Sequence, residues 1–317
     1  MARNISRKIF LQWGTGLTGS VLLGSLPADL DIAAGNNSDM QEKQPTLRAI
    51  PVSGEKIPAI GMGTWLTFDA GNSETRRQDL KEVLRIFSDN GGRLIDSSPM
   101  YGSSEKVVGD LVTDLKLRNF FLATKVWTNG EANGIAQMDQ SFEKMRTARM
   151  DLMQVHNLVD ADSHLRTLRK WKTAGKIRYI GITHYQVSAY PELMELIKKV
   201  KPDFVQFNYN IAVREAEKRL LPFCADNGIA VINNRPFDGG GLFQRVHGKP
   251  LPAWAGDYGS QNWAQFFLKY IISHPAVTCA IPATSNPAHM QENIGALYGP
   301  MPDLTSRKRM ADYFDKL

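Results

Sequence analysis

Four side chains of complementary acid–base character recur through the first half of the chain: Asp96, Tyr101, Lys125 and His156. An acid, a phenol, an amine and an imidazole brought to one point describe proton transfer to or from a substrate oxygen. A phenol in water ionises near pH ~10, too high for efficient general-acid work at neutrality. A cationic neighbour lowers that value, so Lys125 is expected to depress the Tyr101 pKa while Asp96 keeps Lys125 charged and oriented. His156 is expected to donate a hydrogen bond to the same oxygen. Taken singly, each has an ordinary structural role: Asp96 as a loop cap, Tyr101 as a half-buried packer, Lys125 as a snorkelling surface chain, His156 as a satisfied core histidine. Chemistry requires that the fold gather them.

The elements that would do so alternate along the chain. Residues 52–60 read as an opening hairpin. Short apolar runs then recur at 61–65, 93–98, 120–126, 150–156, 177–183, 204–209, 230–234 and 278–283, the pattern of eight strands. Between them lie helical segments near residues 80–87, 104–115, 135–146, 163–175, 215–227 and 262–273, and 290–297 closes the last unit. In the first, Leu80, Val83, Leu84 and Phe87 share one helix face, and Asn90-Gly91-Gly92 stops it. Eight strand-then-helix units over about 250 residues match an α/β fold of the (β/α)8 TIM barrel type, preceded by a short β-hairpin. No Gly-x-Gly-x-x-Gly follows an early strand, so a Rossmann unit is not indicated. Barrel active sites lie at the carboxyl ends of the strands. Asp96 ends the second strand, Tyr101 follows in its loop, Lys125 is near the end of the third and His156 ends the fourth, so all four are expected at one mouth.

The composition bounds the rest. The 317 residues are 43% hydrophobic and 22% charged, enough for a large buried core, which excludes a disordered chain. Cys224 and Cys279 cannot build a disulfide framework or a Cys-rich zinc site, although one bridge between them stays open. His164, His247 and His274 have no ligand spacing, so no metal is expected. A net charge of +6 without a basic tract argues against nucleic acid as a partner. Arg3, Arg7 and Lys8 precede an uncharged stretch, residues 9–26, with small residues at Ala28 and Ala33-Ala34-Gly35. That layout is an export signal, assigned to residues 1–35, followed by a linker at 36–47 and the barrel at 48–317. Ser6-Arg7-Lys8-Ile9-Phe10-Leu11-Gln12 resembles the twin-arginine export motif, with Lys8 where the second arginine usually stands. The expectation is a periplasmic monomer delivered by the twin-arginine machinery; a cytoplasmic or membrane-anchored protein is the alternative.

Four separated stretches carry a resemblance. Gly61-Met62-Gly63-Thr64-Trp65, the run from Asp96-Ser97-Ser98-Pro99-Met100-Tyr101 to Gly102-Ser103-Ser104-Glu105, Ala123-Thr124-Lys125-Val126, and Gln154-Val155-His156-Asn157 resemble the aldo/keto reductase family in order and spacing. The resemblance spans residues 48–297. It implies NAD(P)H-dependent reduction of an aldehyde or ketone by direct hydride transfer, with Asp96, Tyr101, Lys125 and His156 as the catalytic tetrad and Tyr101 as general acid. It also implies a cofactor seat. Thr183 and His184 stand where the family usually has Ser-Asn, and Gln206 matches the glutamine that commonly holds the carboxamide. Arg235, Pro236, Phe237, Gly239 and Gly241 follow strand seven, where no aromatic stands in the usual stacking position; Thr284, Ser285, His289 and Asn293 match the adenosine-phosphate loop. Ala283 and His289 replace the lysine and arginine that frequently read the 2′-phosphate, so NADP is expected on family grounds, with NAD as the alternative. Trp65 and Trp127 are expected to line the substrate pocket. A non-catalytic nucleotide-binding or regulatory barrel, and Schiff-base chemistry on Lys125, are the competing readings. Residues 302–317 read as a short amphipathic helix packed on the barrel.

Overall fold

The computed structural model describes residues 44–317. The segment expected to be an export signal, residues 1–35, and most of the expected linker at 36–47 lie outside the described residues. The described part begins with an antiparallel hairpin, β1 (Leu47–Ala49) and β2 (Lys56–Pro58), in which Leu47 faces Pro58 and Ala49 faces Lys56. The barrel follows with β3 (Met62–Gly63), α1 (Glu74–Asp89), β4 (Leu94–Asp96), α2 (Ser104–Asp114), β5 (Phe121–Val126), α3 (Glu131–Lys144), β6 (Met150–His156) and α4 (Ala161–Thr173). Its second half holds β7 (Ile177–His184), α5 (Tyr190–Val200), β8 (Phe204–Asn208), α6 (Glu215–Lys218), α7 (Leu220–Asp226) and β9 (Ala230–Asn234). Then come α8 (Gly241–Arg245), α9 (Trp263–Ile272), β10 (Cys279–Ala280), α10 (Pro287–Gly295) and the C-terminal α11 (Leu304–Asp315).

Strands β3 to β10 pair in sequence order, all parallel, and the bridges Ile60–Ala280 and Gly63–Ala283 join the two edges. The result is a (β/α)8 barrel. Alternation along each strand sorts side chains between two apolar clusters. One lies between strands and helices and includes Leu80, Val83, Leu84 and Phe87 of α1. The other fills the barrel interior near the strand starts, with Leu94, Phe121, Leu152, Tyr179, Phe204 and Cys279, and the hairpin adds Ile50 and Ile57 to it. The hairpin therefore plugs the amino end of the barrel.

Several boundaries differ from the sequence expectation for local reasons. The single helix expected over 215–227 is two, α6 and α7, broken at Arg219 (φ −142°, ψ −49°). Pro222 accounts for it: the residue has no N–H for Lys218, and its ring crowds that carbonyl in a continuous helix. Helix α5 was not anticipated; Pro191 occupies its first turn, where a missing N–H costs nothing, and Leu193, Met194 and Ile197 bury its inner face. The first and eighth strands are shorter than expected, reduced to two paired residues each plus the closing bridges. Cys224 and Cys279 are free and buried in different clusters, so the bridge left open by the sequence does not form. The tail is helical as expected and is held by Arg307, which donates to Tyr209 Oη and Glu217 Oε1 at 2.6 and 2.7 Å.

Candidate active site

The interior faces of β4, β5, β6 and β8 turn polar as these strands run towards their carboxyl ends. On β4 the inward residue after Leu94 is Asp96; on β5 the sequence Phe121, Ala123 leads to Lys125; on β6 Leu152 leads to Gln154 and His156; on β8 Phe204 leads to Gln206. Parallel register then places Lys125 beside Gln154, His156 beside Thr183, and Thr183 beside Gln206. Asp96, His156, Thr183 and Gln206 line the floor of an open cavity of about 660 Å³, within the size range of small-molecule sites, with Lys125 and Gln154 buried beneath it.

Lys125 is fully buried and donates to Asp96 Oδ2 at 2.5 Å and to the Ser97 carbonyl at 2.7 Å. Burial disfavours its charge, but Asp96 and Tyr101 outweigh that and hold its pKa above the usual lysine value. Its Nζ lies 5.1 Å from the centre of the Tyr101 ring. The Tyr101 pKa is the first correction to the sequence reading. Burial raises it; the Lys125 charge pulls the other way but does not win. At neutral pH Tyr101 is therefore a protonated phenol. The His156 ring meets Tyr101 edge-on at 5.9 Å, and burial, followed by the Lys125 charge and His184, lowers its pKa to about 3. The imidazole is neutral across the physiological range. Ser98 Oγ lies 3.1 Å from its Nδ1.

Two contributors were missed from sequence. Asp96 Oδ1 accepts from Gln154 Nε2 at 2.9 Å and from Gln206 Nε2 at 3.0 Å, and Gln206 also reaches Gln154 Oε1 at 3.3 Å. A carboxylate only accepts, so Asp96 fixes the flip of both amides. Gln206 is left presenting its carbonyl oxygen, towards Thr183 Oγ1 at 3.4 Å and Asn234 Nδ2 at 3.5 Å. Gln154 has room because Gly181 faces it; a Cβ there would stand 2.7 Å from Gln154 Cγ. The available signal was a glutamine at an inward position between Leu152 and His156. Ser98 is the second, adjacent in sequence to the Asp96-Ser97 pair.

The other expected residues divide. Trp65, Thr183, Gln206, Arg235, Pro236, Phe237 and Gly239 line the cavity. Trp127 stands at its edge, 6.4 Å from the His156 ring. His184 is turned to its own loop: Nδ1 accepts from the Gln186 N–H at 3.1 Å and the ring stacks on Tyr185, which takes the cavity wall. Gly241 opens α8 beside Asp238, and Arg235 is 3.4 Å from the Asp238 carboxylate. Gly239 and Gly240 adopt positive φ, 64° and 98°, and nothing lies within 4 Å of a Cβ built on Gly240. Thr284 accepts from the Asn286 N–H at 3.0 Å at the entry to α10; Ser285 and His289 are exposed there, while Asn293 is buried. None of these last four lines the cavity.

A sequence profile of the Aldo/keto reductase family matches residues 59–304. The chain belongs to this family. A methylglyoxal reductase of Escherichia coli K12, YeaE, is 30% identical to this reductase over 266 residues, 81% of this chain and 90% of its own. A glyoxal reductase of Bacillus subtilis is 26% identical over 247 residues, covering 76% of this chain and 83% of its own. The crystal structure of an aldo/keto reductase from Klebsiella pneumoniae in complex with NADP and acetate is 25% identical and superposes with a TM-score of 0.69, over 82% of this chain and 93% of that one. The activity of the reductase is NAD(P)H-dependent reduction of a carbonyl group.

Proposed function

We propose that the reductase converts an aldehyde or ketone to the alcohol with Tyr101 as general acid, His156 as the donor that orients the carbonyl oxygen, and Lys125–Asp96 as the pair that sets the charge beneath them. The carrying observation is the buried Lys125–Asp96 ion pair beside the Tyr101 ring at the floor of an open cavity. Tyr101 meets the substrate protonated and gives its phenolic proton to the carbonyl oxygen. Lys125 then faces the phenolate left behind, a favourable charge pair in a site shielded from water. Neutral His156 has Ser98 Oγ 3.1 Å from Nδ1, and the tautomer in which Ser98 donates there carries the ring proton on Nε2, from which it donates to the carbonyl oxygen.

A nicotinamide cofactor fits the remaining residues. Gln206 presents its carbonyl oxygen on the cavity wall, so the seat offers an acceptor to a carboxamide N–H, with Asn157 and Asn234 beside it. Thr183 and Gln206 would hold that carboxamide. Arg235 and the Gly239–Gly240 turn would hold the pyrophosphate, with Thr284, Ser285, His289 and Asn293 towards the adenosine end. When bound in reduced form, the nicotinamide supplies hydride to the carbonyl carbon. NADP is the proposed nucleotide, supported by the NADP and NADPH complexes of the Klebsiella pneumoniae relatives. NAD is the competing choice, supported by Ala283 in place of a cation.

Titration with NADPH and NADH, followed by tryptophan fluorescence, tests this seat, because Trp65 lies on the cavity wall. Saturable quenching by NADPH is expected; failure of both nucleotides to bind removes the redox reading. The residues of 1–35 support delivery to the periplasm, where the reductase acts as a monomer. Cell fractionation and the mass of the mature chain check this: a precursor-length protein confined to the cytoplasm contradicts it.

A further inference from the structure

Among the described residues the buried acids are Asp96, Glu105, Asp110 and Asp203, and three of them hold a cation closely. Asp96 pairs with Lys125 at 2.5 Å, Asp110 with Arg77 and Lys106, each at 2.8 Å, and Asp203 with Lys172 at 2.6 Å. Glu105 differs. It is 1% exposed, and Lys144 Nζ stands 4.0 Å from its Oε2, which has no hydrogen-bond partner. Burial raises the Glu105 pKa against the pull of hydrogen bonds from Thr124 and Ser141 and of the Lys144 and Lys125 charges. A carboxyl kept dry with one oxygen unpaired is costly, so the other oxygen must account for its place.

That oxygen, Oε1, accepts from Thr124 Oγ1 at 2.5 Å, and Thr124 is fully buried. The two residues belong to the two elements that carry the proton-transfer pair. Thr124 precedes Lys125 on β5; strand alternation turns Lys125 into the barrel and Thr124 outward, towards the helices. Glu105 is the second residue of α2, and the first, Ser104, holds the turn of Tyr101: its Oγ donates to the Tyr101 carbonyl at 2.7 Å and its N–H donates to the same oxygen at 3.2 Å. Lys125 directs its own hydrogen bonds to Asp96 and Ser97, while its Nζ lies 5.1 Å from the centre of the Tyr101 ring. The separation of phenol and ammonium is therefore set by the loop and the strand that bear them. Among the described residues the Glu105–Thr124 contact is the side-chain hydrogen bond that joins α2 to β5. Neither residue lines the cavity.

We propose that Glu105 and Thr124 form a buried strut that fixes the loop of Tyr101 against the strand of Lys125, which makes both of them positioning residues for the proton transfer. This rests on Tyr101 acting as the general acid. Stabilisation of the phenolate by the Lys125 ammonium falls with their distance, and a misplacement of about 1 Å at a reacting group costs on the order of 10²-fold in rate. Thr124 suits the task because its branched side chain is stiff at χ1 and loses little freedom on making the bond. The strut acts from outside the barrel wall and leaves the seat of the nucleotide untouched.

The experiment is a double-mutant cycle on single-turnover cofactor oxidation by phenylglyoxal, with the full-length reductase preloaded with NADPH or NADH. It compares the unaltered protein, Thr124→Val, Tyr101→Phe and the double variant, with nucleotide affinity measured in parallel by tryptophan fluorescence. Thr124→Val keeps the size of the side chain and removes its donor. It is expected to slow oxidation by at least about tenfold when Tyr101 is present and by less than about twofold in the Tyr101→Phe background, with nucleotide affinity unchanged. Thr124→Ser, which restores the hydroxyl, should recover most of the rate. Glu105→Asp retracts the carboxyl by one methylene and supplies the same cycle if Thr124→Val does not fold; it too should slow oxidation only when Tyr101 is present. Equal slowing in both backgrounds, no slowing in either, or no recovery with Thr124→Ser overturns the strut while leaving carbonyl reduction in place. Oxidation by Tyr101→Phe at the unaltered rate removes the general-acid reading and this inference with it.

Discussion

The two ends of the barrel are built from the same strands yet obey opposite rules. At the amino end the inward residues are Leu94, Phe121, Leu152, Tyr179 and Phe204, sealed by Ile50 and Ile57 of the hairpin. At the carboxyl end, two to four residues later on the same faces, they are Asp96, Lys125, Gln154, His156 and Gln206, under an open cavity. The first end is satisfied by its own packing. The second contains a buried ion pair whose desolvation is offset only by close hydrogen bonds, and acceptors at Asn157 and Asn234 with no partner at all. Stability is concentrated where the barrel is dry, and chemistry where polar groups have been left incompletely paired.

Substitutions at the two ends should therefore fail differently. The largest effect is expected for Lys125→Met, which leaves Asp96 buried without its cation: kcat/KM should fall by at least about a thousandfold and stability by roughly 3–5 kcal/mol. Kinetics alongside urea unfolding measures both, and a stable, active variant would show that the ion pair is dispensable. Phe204→Ala at the sealed end should cost a similar 3–5 kcal/mol of stability through the cavity it creates, with kcat almost unchanged in the folded enzyme. A large kcat loss there would blur the division between the ends. Gln154→Leu is expected to be milder. Removing a hydrogen bond to the Asp96 carboxylate costs about 1.5–3 kcal/mol, appearing as a weaker hold on nucleotide through Gln206 and a shifted pH profile. Gln154→Glu should not restore activity, because it sets a second acid against Asp96; full activity in that variant would contradict the role.

A further effect, smallest close to neutrality, concerns pH. His156 has its pKa lowered to about 3 and His274 to about 4, both chiefly by burial. Below the ordinary histidine value of ~6.5 the unfolded chain binds protons that the folded chain does not, so stability should decline as pH falls from there towards the folded values. Over that window His156 stays neutral in the native protein. A kcat/KM profile with an inflection near pH ~6.5 that disappears in His156→Gln would contradict this assignment.

Much of the site was legible because a barrel gathers the carboxyl ends of its strands at one mouth, and Asp96, Lys125 and His156 lie at or next to such ends in well-patterned strands. The presence of a hairpin and of the amphipathic tail followed from the residue pattern, although the first hairpin strand, Leu47–Ala49, precedes the expected range 52–60. Register and burial were harder to read. Whether Gln154 faces Asp96 depends on alternation across three strands and on the absence of a Cβ at Gly181, neither visible in a local motif. The Tyr101 pKa was expected to fall because its charged neighbour is apparent in sequence, whereas the burial that raises it is a property of the closed fold. His184 illustrates the limit of carrying a position across a family: the residue is at the expected strand end, but the adjacent Tyr185 takes the cavity wall. Trp65 and Trp127 were identifiable from their place after strands, while Met100, Tyr185 and Phe243 joined them only once the loops were placed in space.

The most direct test of the account is a single-turnover reaction of Tyr101→Phe and the unaltered reductase, each preloaded with reduced nucleotide and mixed with phenylglyoxal. The hydroxyl is all that the substitution removes. Nucleotide affinity should be preserved while cofactor oxidation slows by about 10²–10⁴-fold, the range expected for loss of a general acid. Oxidation at the unaltered rate would contradict the central claim that Tyr101 delivers the proton.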